Sequence, residues 1–203
     1  MHYLLLLLAL ICAYLLGSIS SAIIICKIFK KPDPRTAGSK NPGATNVLRL
    51  VGKKYAVFAL LGDILKGFLA VILGLTLFSQ TGFALALIGF AVFFGHLYPI
   101  FFNFKGGKGV ATYLGVLFAL PPISVLGLAA SAIWLLVAVI FRYSSVAALI
   151  TAIVTPFYAL LINRAEYFFP LIAMSVLLIL RHKKNIKNLI NKTEDKIGKK
   201  NKK

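Results

Sequence analysis

The stretch FKGGKGVAT, Phe104 to Thr112, sets two lysines and three glycines between two long apolar runs. Gly106, Gly107 and Gly109 let successive backbone N–H groups turn toward one anion, and Lys105 and Lys108 add positive charge. It is not a Walker A loop, which would need glycine where Phe102 stands and serine or threonine where Gly109 stands. A second polar stretch, GSKNPGATN from Gly38 to Asn46, runs on to Arg49. Ser39, Asn41, Thr45 and Asn46 offer short hydrogen-bonding groups, and Arg49 a planar fork suited to phosphate. Each stretch alone also reads as a polar turn. Together they suit a small phosphorylated molecule.

His96, in GHLYP, reads as a general base, an anion donor or a structural histidine. Asp63 and Lys66, three apart inside an apolar run, read chiefly as a mutually neutralising pair. Ser144, Ser145, Arg181, His182 and Asn185 stand at the ends of later apolar runs and could wall the same site. The residue five beyond each histidine is Leu7, Phe101 or Lys187, so no HxxxxD acyltransferase motif occurs. No GxSxG elbow is present, and the five acids are too scattered to hold magnesium or to work as a carboxylate pair. No metal or cofactor is expected. The chemistry rests on positive charge, glycine amides and hydroxyls.

These residues are carried by a chain that is 60% hydrophobic, more than a soluble domain needs, so the excess must face lipid. The net charge of +18 would suggest nucleic acid in a soluble protein. Here the lysines and arginines fill the gaps between apolar runs and a C-terminal tail, which fits anionic headgroups or an anionic substrate instead. Cys12 and Cys26 lie in the first apolar run and read as small apolar fillers. That run lacks a basic start and a cleavage site, so a retained span is expected.

Apolar runs at 3–28, 55–78, 83–102, 123–141, 146–162 and 167–180 suit helices that cross a bilayer. The run 110–120, closed by Pro121-Pro122, would reach only about half-way at about 1.5 Å per residue. The basic loop after the first run and the basic tail should both face the cytoplasm, which requires an even number of crossings between them. The short run must then cross. The expected architecture is an all-α polytopic membrane protein of seven transmembrane helices, N-terminus outside and C-terminus cytoplasmic. Residues 1–190 form one domain and 191–203 a disordered basic tail. A crossing that short requires the FKGGKG loop to dip below the membrane surface, where irregular backbone survives only if buried in protein or lining a watery cavity.

Three blocks, GSISS, GSKNPGATNVLR and GHLYPIFFNFKGGKGVAT, resemble the PlsY family, bacterial integral-membrane acyl-phosphate:glycerol-3-phosphate acyltransferases. The first two depart from the family pattern: Ser20 and Ala22 stand for proline and glycine, and Lys40 for glycine. The resemblance implies transfer of a fatty acyl group from acyl phosphate to the sn-1 hydroxyl of glycerol 3-phosphate in the bacterial cytoplasmic membrane, with the site facing the cytoplasm. The expected catalytic residues are His96, Ser39 and Lys108. The expected substrate contacts are Ser39, Asn41, Thr45, Asn46, Arg49, Lys105, Gly106, Gly107, Lys108, Ser144, Ser145, His182 and Asn185. The expected partners are the two substrates and membrane lipids, with no nucleic acid and a monomeric enzyme. The rival classes are a transporter of organic phosphates, against which no duplicated halves are seen, and a scaffold recruiting acidic partners through its tail. For an enzyme, deletion after Asn191 should leave activity intact.

Overall fold

The computed structural model describes residues 2–198, so the tail lysines from Lys199 onward lie outside the described residues. Among the described residues the chain is all helical, with ten α-helices and two 3-10 turns. The helices are α1 (His2–Gly17), α2 (Ser21–Ile28), α3 (Ala44–Val51), α4 (Lys53–Thr76), α5 (Gly82–Leu97), α6 (Val110–Ala119), α7 (Val125–Phe141), α8 (Ser144–Leu161), α9 (Phe168–Arg181) and α10 (Lys183–Ile190).

Three of the apolar segments are long enough to span a bilayer unaided: α4, α5 with the turn after it, and α8. Two more are bent pairs, α1 with α2 at 44° and α9 with α10 at 58°, and two are the shorter helices α6 and α7. The run expected as one helix from Tyr3 to Ile28 is therefore broken, and side chains from elsewhere satisfy the break. Ser18 Oγ donates to the Tyr14 carbonyl at 2.9 Å and accepts the Ile100 N–H at 3.3 Å. Lys66 Nζ donates to the Ile19 carbonyl at 2.7 Å. A helix broken within an apolar run needs such partners, because hydrocarbon supplies none.

The buried core centres on α5, which packs with α1, α4, α6 and α9. Phe93, Leu97, Tyr113 and Leu117 are at most 1% exposed. Helices α4 and α6 approach closely because Gly115 has no side chain; a Cβ there would collide with the Ile64 carbonyl. Small residues commonly permit such approach where no hydrophobic force drives helix association. The outward faces are apolar instead of polar. Val139 is 76% exposed and Leu161 79%, a surface that water would not tolerate over seven segments.

The ten residues of α6 rise about 15 Å, half of the hydrocarbon thickness. As the short run required, the loop before α6 is drawn inward, with Gly106, Gly107 and Gly109 buried in protein. The segment expected to be a loose tail from Asn191 folds back through Gly198, its Ile197 N–H bonded to the Arg142 carbonyl at 2.6 Å. Two acidic side chains hold the segment there. Glu194 accepts from donors on α8 and α10, and Asp195 pairs with Arg49 on α3, which fastens residues 191–198 to the helical body.

Candidate active site

Three chain segments far apart in sequence meet at one end of the bundle. They form a cleft of about 390 Å³ lined by Ser39 and Asn41 from the first loop, Arg49 from α3 that follows it, Lys108 from the glycine loop, and Lys184, Asn185, Asn188, Glu194 and Asp195 from the C-terminal segment.

The first loop is held by its own polar groups. Asp33 takes Nε and Nη2 of Arg35, the shortest contact being 2.7 Å, which holds its carboxyl below the usual carboxylate range. Asn46 is 1% exposed; its Oδ1 accepts the Ser39 N–H at 3.0 Å and its Nδ2 donates to the Pro34 carbonyl at 2.8 Å. Asn46 thus braces the loop and fixes Ser39 at the cleft edge. Thr45, on the first turn of α3, is exposed and lies outside the cleft lining.

The glycine loop is clamped from two sides. The Gly107 N–H donates to the His96 carbonyl at 3.2 Å. Arg181, at the end of α9, donates from Nη2 to the Gly106 carbonyl at 2.6 Å and from Nε to the Gly107 carbonyl at 3.0 Å. Its guanidinium also sits over the Tyr98 ring, 5.4 Å from the centroid. Gly107 presses so closely on His96 that a Cβ would collide with the ring Nε2. The Gly107 amide, expected to face an anion, is therefore already engaged, and Gly106 and Gly107 are floor rather than lining. Lys105 is exposed and also outside the lining.

What the loop does present is Lys108. Its Nζ donates to Asn185 Oδ1 at 2.6 Å, and burial pushes the ammonium down to about 8, with Glu194 opposing the fall and Arg49, Arg181 and Lys184 deepening it. Asn185 is oriented in turn, because its Nδ2 donates to Glu194 Oε1 at 2.6 Å. The same carboxylate accepts Ser145 Oγ at 2.7 Å and Asn188 Nδ2 at 3.3 Å. Asp195 pairs with Arg49 at 3.1 Å. His182 is buried, its Nδ1–H donating to the Leu178 carbonyl at 2.8 Å, which leaves Nε2 as an acceptor. Ser144 lies beside Ser145 at the start of α8 but outside the cleft lining.

His96 stands behind this loop. It is 6% exposed, with Nδ1 3.2 Å from Thr112 Oγ1 and 3.6 Å from Asp63. Asp63 pairs with Lys66 at 2.9 Å, as their spacing suggested, and both are buried. Sequence reasoning brought Ser39, Asn41, Arg49, Lys108 and Asn185 to one place. It missed Lys184, Asn188, Glu194 and Asp195. A signal for the last two existed: they are the only acids after Glu166, in an otherwise basic segment.

Residues 7–192 match the sequence family described as glycerol-3-phosphate acyltransferase. The chain belongs to the glycerol-3-phosphate acyltransferase family. A Vibrio cholerae glycerol-3-phosphate acyltransferase is 53% identical over 192 residues, covering 94% of this chain and 90% of that protein. One from Coxiella burnetii is 48% identical over 189 residues, covering 93% and 96%. Among solved structures, the chain resembles PlsY, an integral membrane glycerol 3-phosphate acyltransferase, in its glycerol 3-phosphate form. The TM-score is 0.88 at 40% identity, over 95% of this chain and 96% of that one. The lysophosphatidic acid form of PlsY matches with a TM-score of 0.86 at 39% identity, over 95% of each chain. This family member is accordingly a membrane protein whose all-helical fold is that of PlsY.

Proposed function

We propose that the protein transfers a fatty acyl group from acyl phosphate to the sn-1 hydroxyl of glycerol 3-phosphate, the first acylation of phospholipid synthesis. The observation that carries this reading is the convergence of three cations, Arg49, Lys108 and Lys184, with Ser39, Asn41 and Asn185 on one cleft beside apolar helices. Arg49 and Lys108 match phosphate charge, and the short polar groups match its oxygens. The acyl tail has hydrocarbon beside it. The glycerol 3-phosphate and lysophosphatidic acid forms of PlsY name the acceptor and the acylated product of such a reaction.

In the proposed step the sn-1 oxygen attacks the acyl carbonyl carbon, an ester C–O bond forms, and the bond from carbon to the phosphate oxygen breaks. Phosphate is a good leaving group, so the protein contributes positioning and charge stabilisation. The hydroxyl proton passes to an oxygen of the departing phosphate. His96, behind the loop and nearly inaccessible, supports Gly107 and takes no proton. Ser39 and Lys108 bear on the substrate phosphates directly, and Lys108 stabilises the charge on the leaving group.

The seven apolar segments each cross the bilayer, with the N-terminus outside. The cleft lies at the cytoplasmic face of the bacterial cytoplasmic membrane, where the basic loops gather. The enzyme works as a monomer and without cofactor. Its test is phosphate release from palmitoyl phosphate by purified protein, with and without glycerol 3-phosphate and without coenzyme A or metal. Release that depends on glycerol 3-phosphate and is abolished by Lys108→Ala supports the reading. Well-folded protein that releases none rejects it.

A further inference from the structure

Arg49, the only arginine lining the cleft among the described residues, does not face an empty space. Its Nη1 lies 3.1 Å from Oδ2 of Asp195, which lines the same cleft. The two carboxylates of the C-terminal segment are held very differently. Glu194 accepts three hydrogen bonds, from Ser145, Asn185 and Asn188, two of them at 2.6–2.7 Å. Among the described residues Asp195 has the Arg49 contact alone, and its side chain is 47% exposed. Glu194 is thus an anchor, and Asp195, one residue on, is a tethered anion that can leave Arg49 without unfolding anything.

We infer that Asp195 is an internal competitor for the phosphate-binding arginine, and that it sets the affinity of the site for its phosphorylated substrate. The inference rests on the proposed placement of a substrate phosphate at Arg49. An incoming phosphate must displace the carboxylate, and the tether keeps that carboxylate at high local concentration whatever the solution holds. A phosphate dianion brings three oxygens and greater charge, and it meets Lys108 as well as Arg49, so it displaces Asp195 readily. A weakly bound monoanion exchanges one single contact for another and is kept out of its binding range. Asp195 also neutralises Arg49 between turnovers, in a cleft where Lys108 and Lys184 already repel it.

The contact is partly exposed, which bounds its strength. Pairs of this kind contribute little, so removing the competitor should tighten binding by roughly 1.5- to 5-fold. The experiment is calorimetric binding of glycerol 3-phosphate to the full-length protein in lipid nanodiscs. Wild type, Asp195→Asn, Arg49→Gln and the double variant are compared at one ionic strength. The expected result is tighter binding by Asp195→Asn than by wild type, with no such gain when Asp195→Asn is added to Arg49→Gln. Equal or weaker binding by Asp195→Asn overturns the inference. So does a gain of the same size in the Arg49→Gln background, which would make the effect general charge. Failure of both wild type and Asp195→Asn to bind the ester overturns it too. Turnover with palmitoyl phosphate is followed on the same samples. Absent turnover with the binding pattern intact rejects the proposed reaction and leaves the competitor standing.

Discussion

Arg181 and Gly106 are 75 positions apart in sequence, yet Nη2 of one donates to the carbonyl of the other at 2.6 Å. With the second bond, to Gly107, the guanidinium spans two consecutive carbonyls and fixes the direction in which the chain leaves toward Lys108. A charged hydrogen bond contributes about 1.5–3 kcal/mol, so losing this clamp is felt at the lysine. Arg181→Gln should raise the KM for glycerol 3-phosphate by about ten-fold or more, and more than it lowers kcat. Arg181→Lys should recover only part, because an ammonium cannot span both carbonyls. Equal loss in KM and kcat for both variants would count against a positioning role.

Lys108 gives a pH dependence of defined sign. Its ammonium is pushed down to about 8 by burial, so it sheds its proton as pH rises through that value. Affinity for glycerol 3-phosphate should be level near pH 7 and fall above pH 8, where the ester is already a dianion. Stability moves the other way. Between about 8 and the ordinary lysine value the unfolded chain binds the extra proton and the folded one does not, so this residue's contribution to stability rises with pH across that window. Titrating ligand affinity and Tm on one sample checks both signs, and Lys108→Met should flatten both.

His96 and Gly107 can be tested as a pair. Gly107→Ala should abolish most activity, since its Cβ would meet the imidazole. His96→Ala should cost less than the 10²–10⁴-fold typical of a lost general base, a range of about two to four orders. Adding His96→Ala to Gly107→Ala should restore part of the activity by making room. A double variant as inactive as His96→Ala alone, with that single variant down by several orders, would return histidine to the role of base.

Truncation after Asn191 removes Glu194 and Asp195 together. The sequence alone suggested that an enzyme would keep its activity after this deletion. The bonds that Glu194 accepts from Ser145 and Asn185 predict instead a loss of about ten-fold or more in turnover, from two hydrogen bonds to a charged group. Truncation after Gly198 should leave turnover near that of the full chain. Comparing the two shortened proteins by phosphate release decides the matter.

The buried pair Asp63 and Lys66 should behave as a unit. Removing one partner leaves an uncompensated charge and costs about 3–5 kcal/mol. Lys66→Met also strips the Ile19 carbonyl of its donor at the break between α1 and α2. Each of Lys66→Met and Asp63→Asn should lower Tm steeply in detergent. The double variant should be less destabilised than the sum of the two, as a thermal unfolding cycle would show.

The apolar segments, the shortness of α6 and the buried glycine loop before it were legible in the sequence, because hydropathy, helix rise and membrane thickness are local or one-dimensional constraints. The residue types at the site were legible for the same reason: glycine, lysine, arginine and short polar side chains declare their chemistry one by one. Partners were not. Asn46 looked like a substrate contact and is a brace, because its amide meets the Pro34 carbonyl and the Ser39 N–H once the loop closes. His96 looked available and is sealed behind Gly107. The first apolar run looked continuous, and it breaks where Lys66 from another helix can donate to a freed carbonyl. The basic tail looked loose, and two acids fasten it to donors 49 and 146 positions earlier, with Ser145 donating to Glu194 and Arg49 pairing with Asp195. Composition tells which charges a chain carries. Only the packing of distant helices brings a donor within 3 Å of an acceptor, and at that range the direction of each hydrogen bond decides what remains free to bind a substrate.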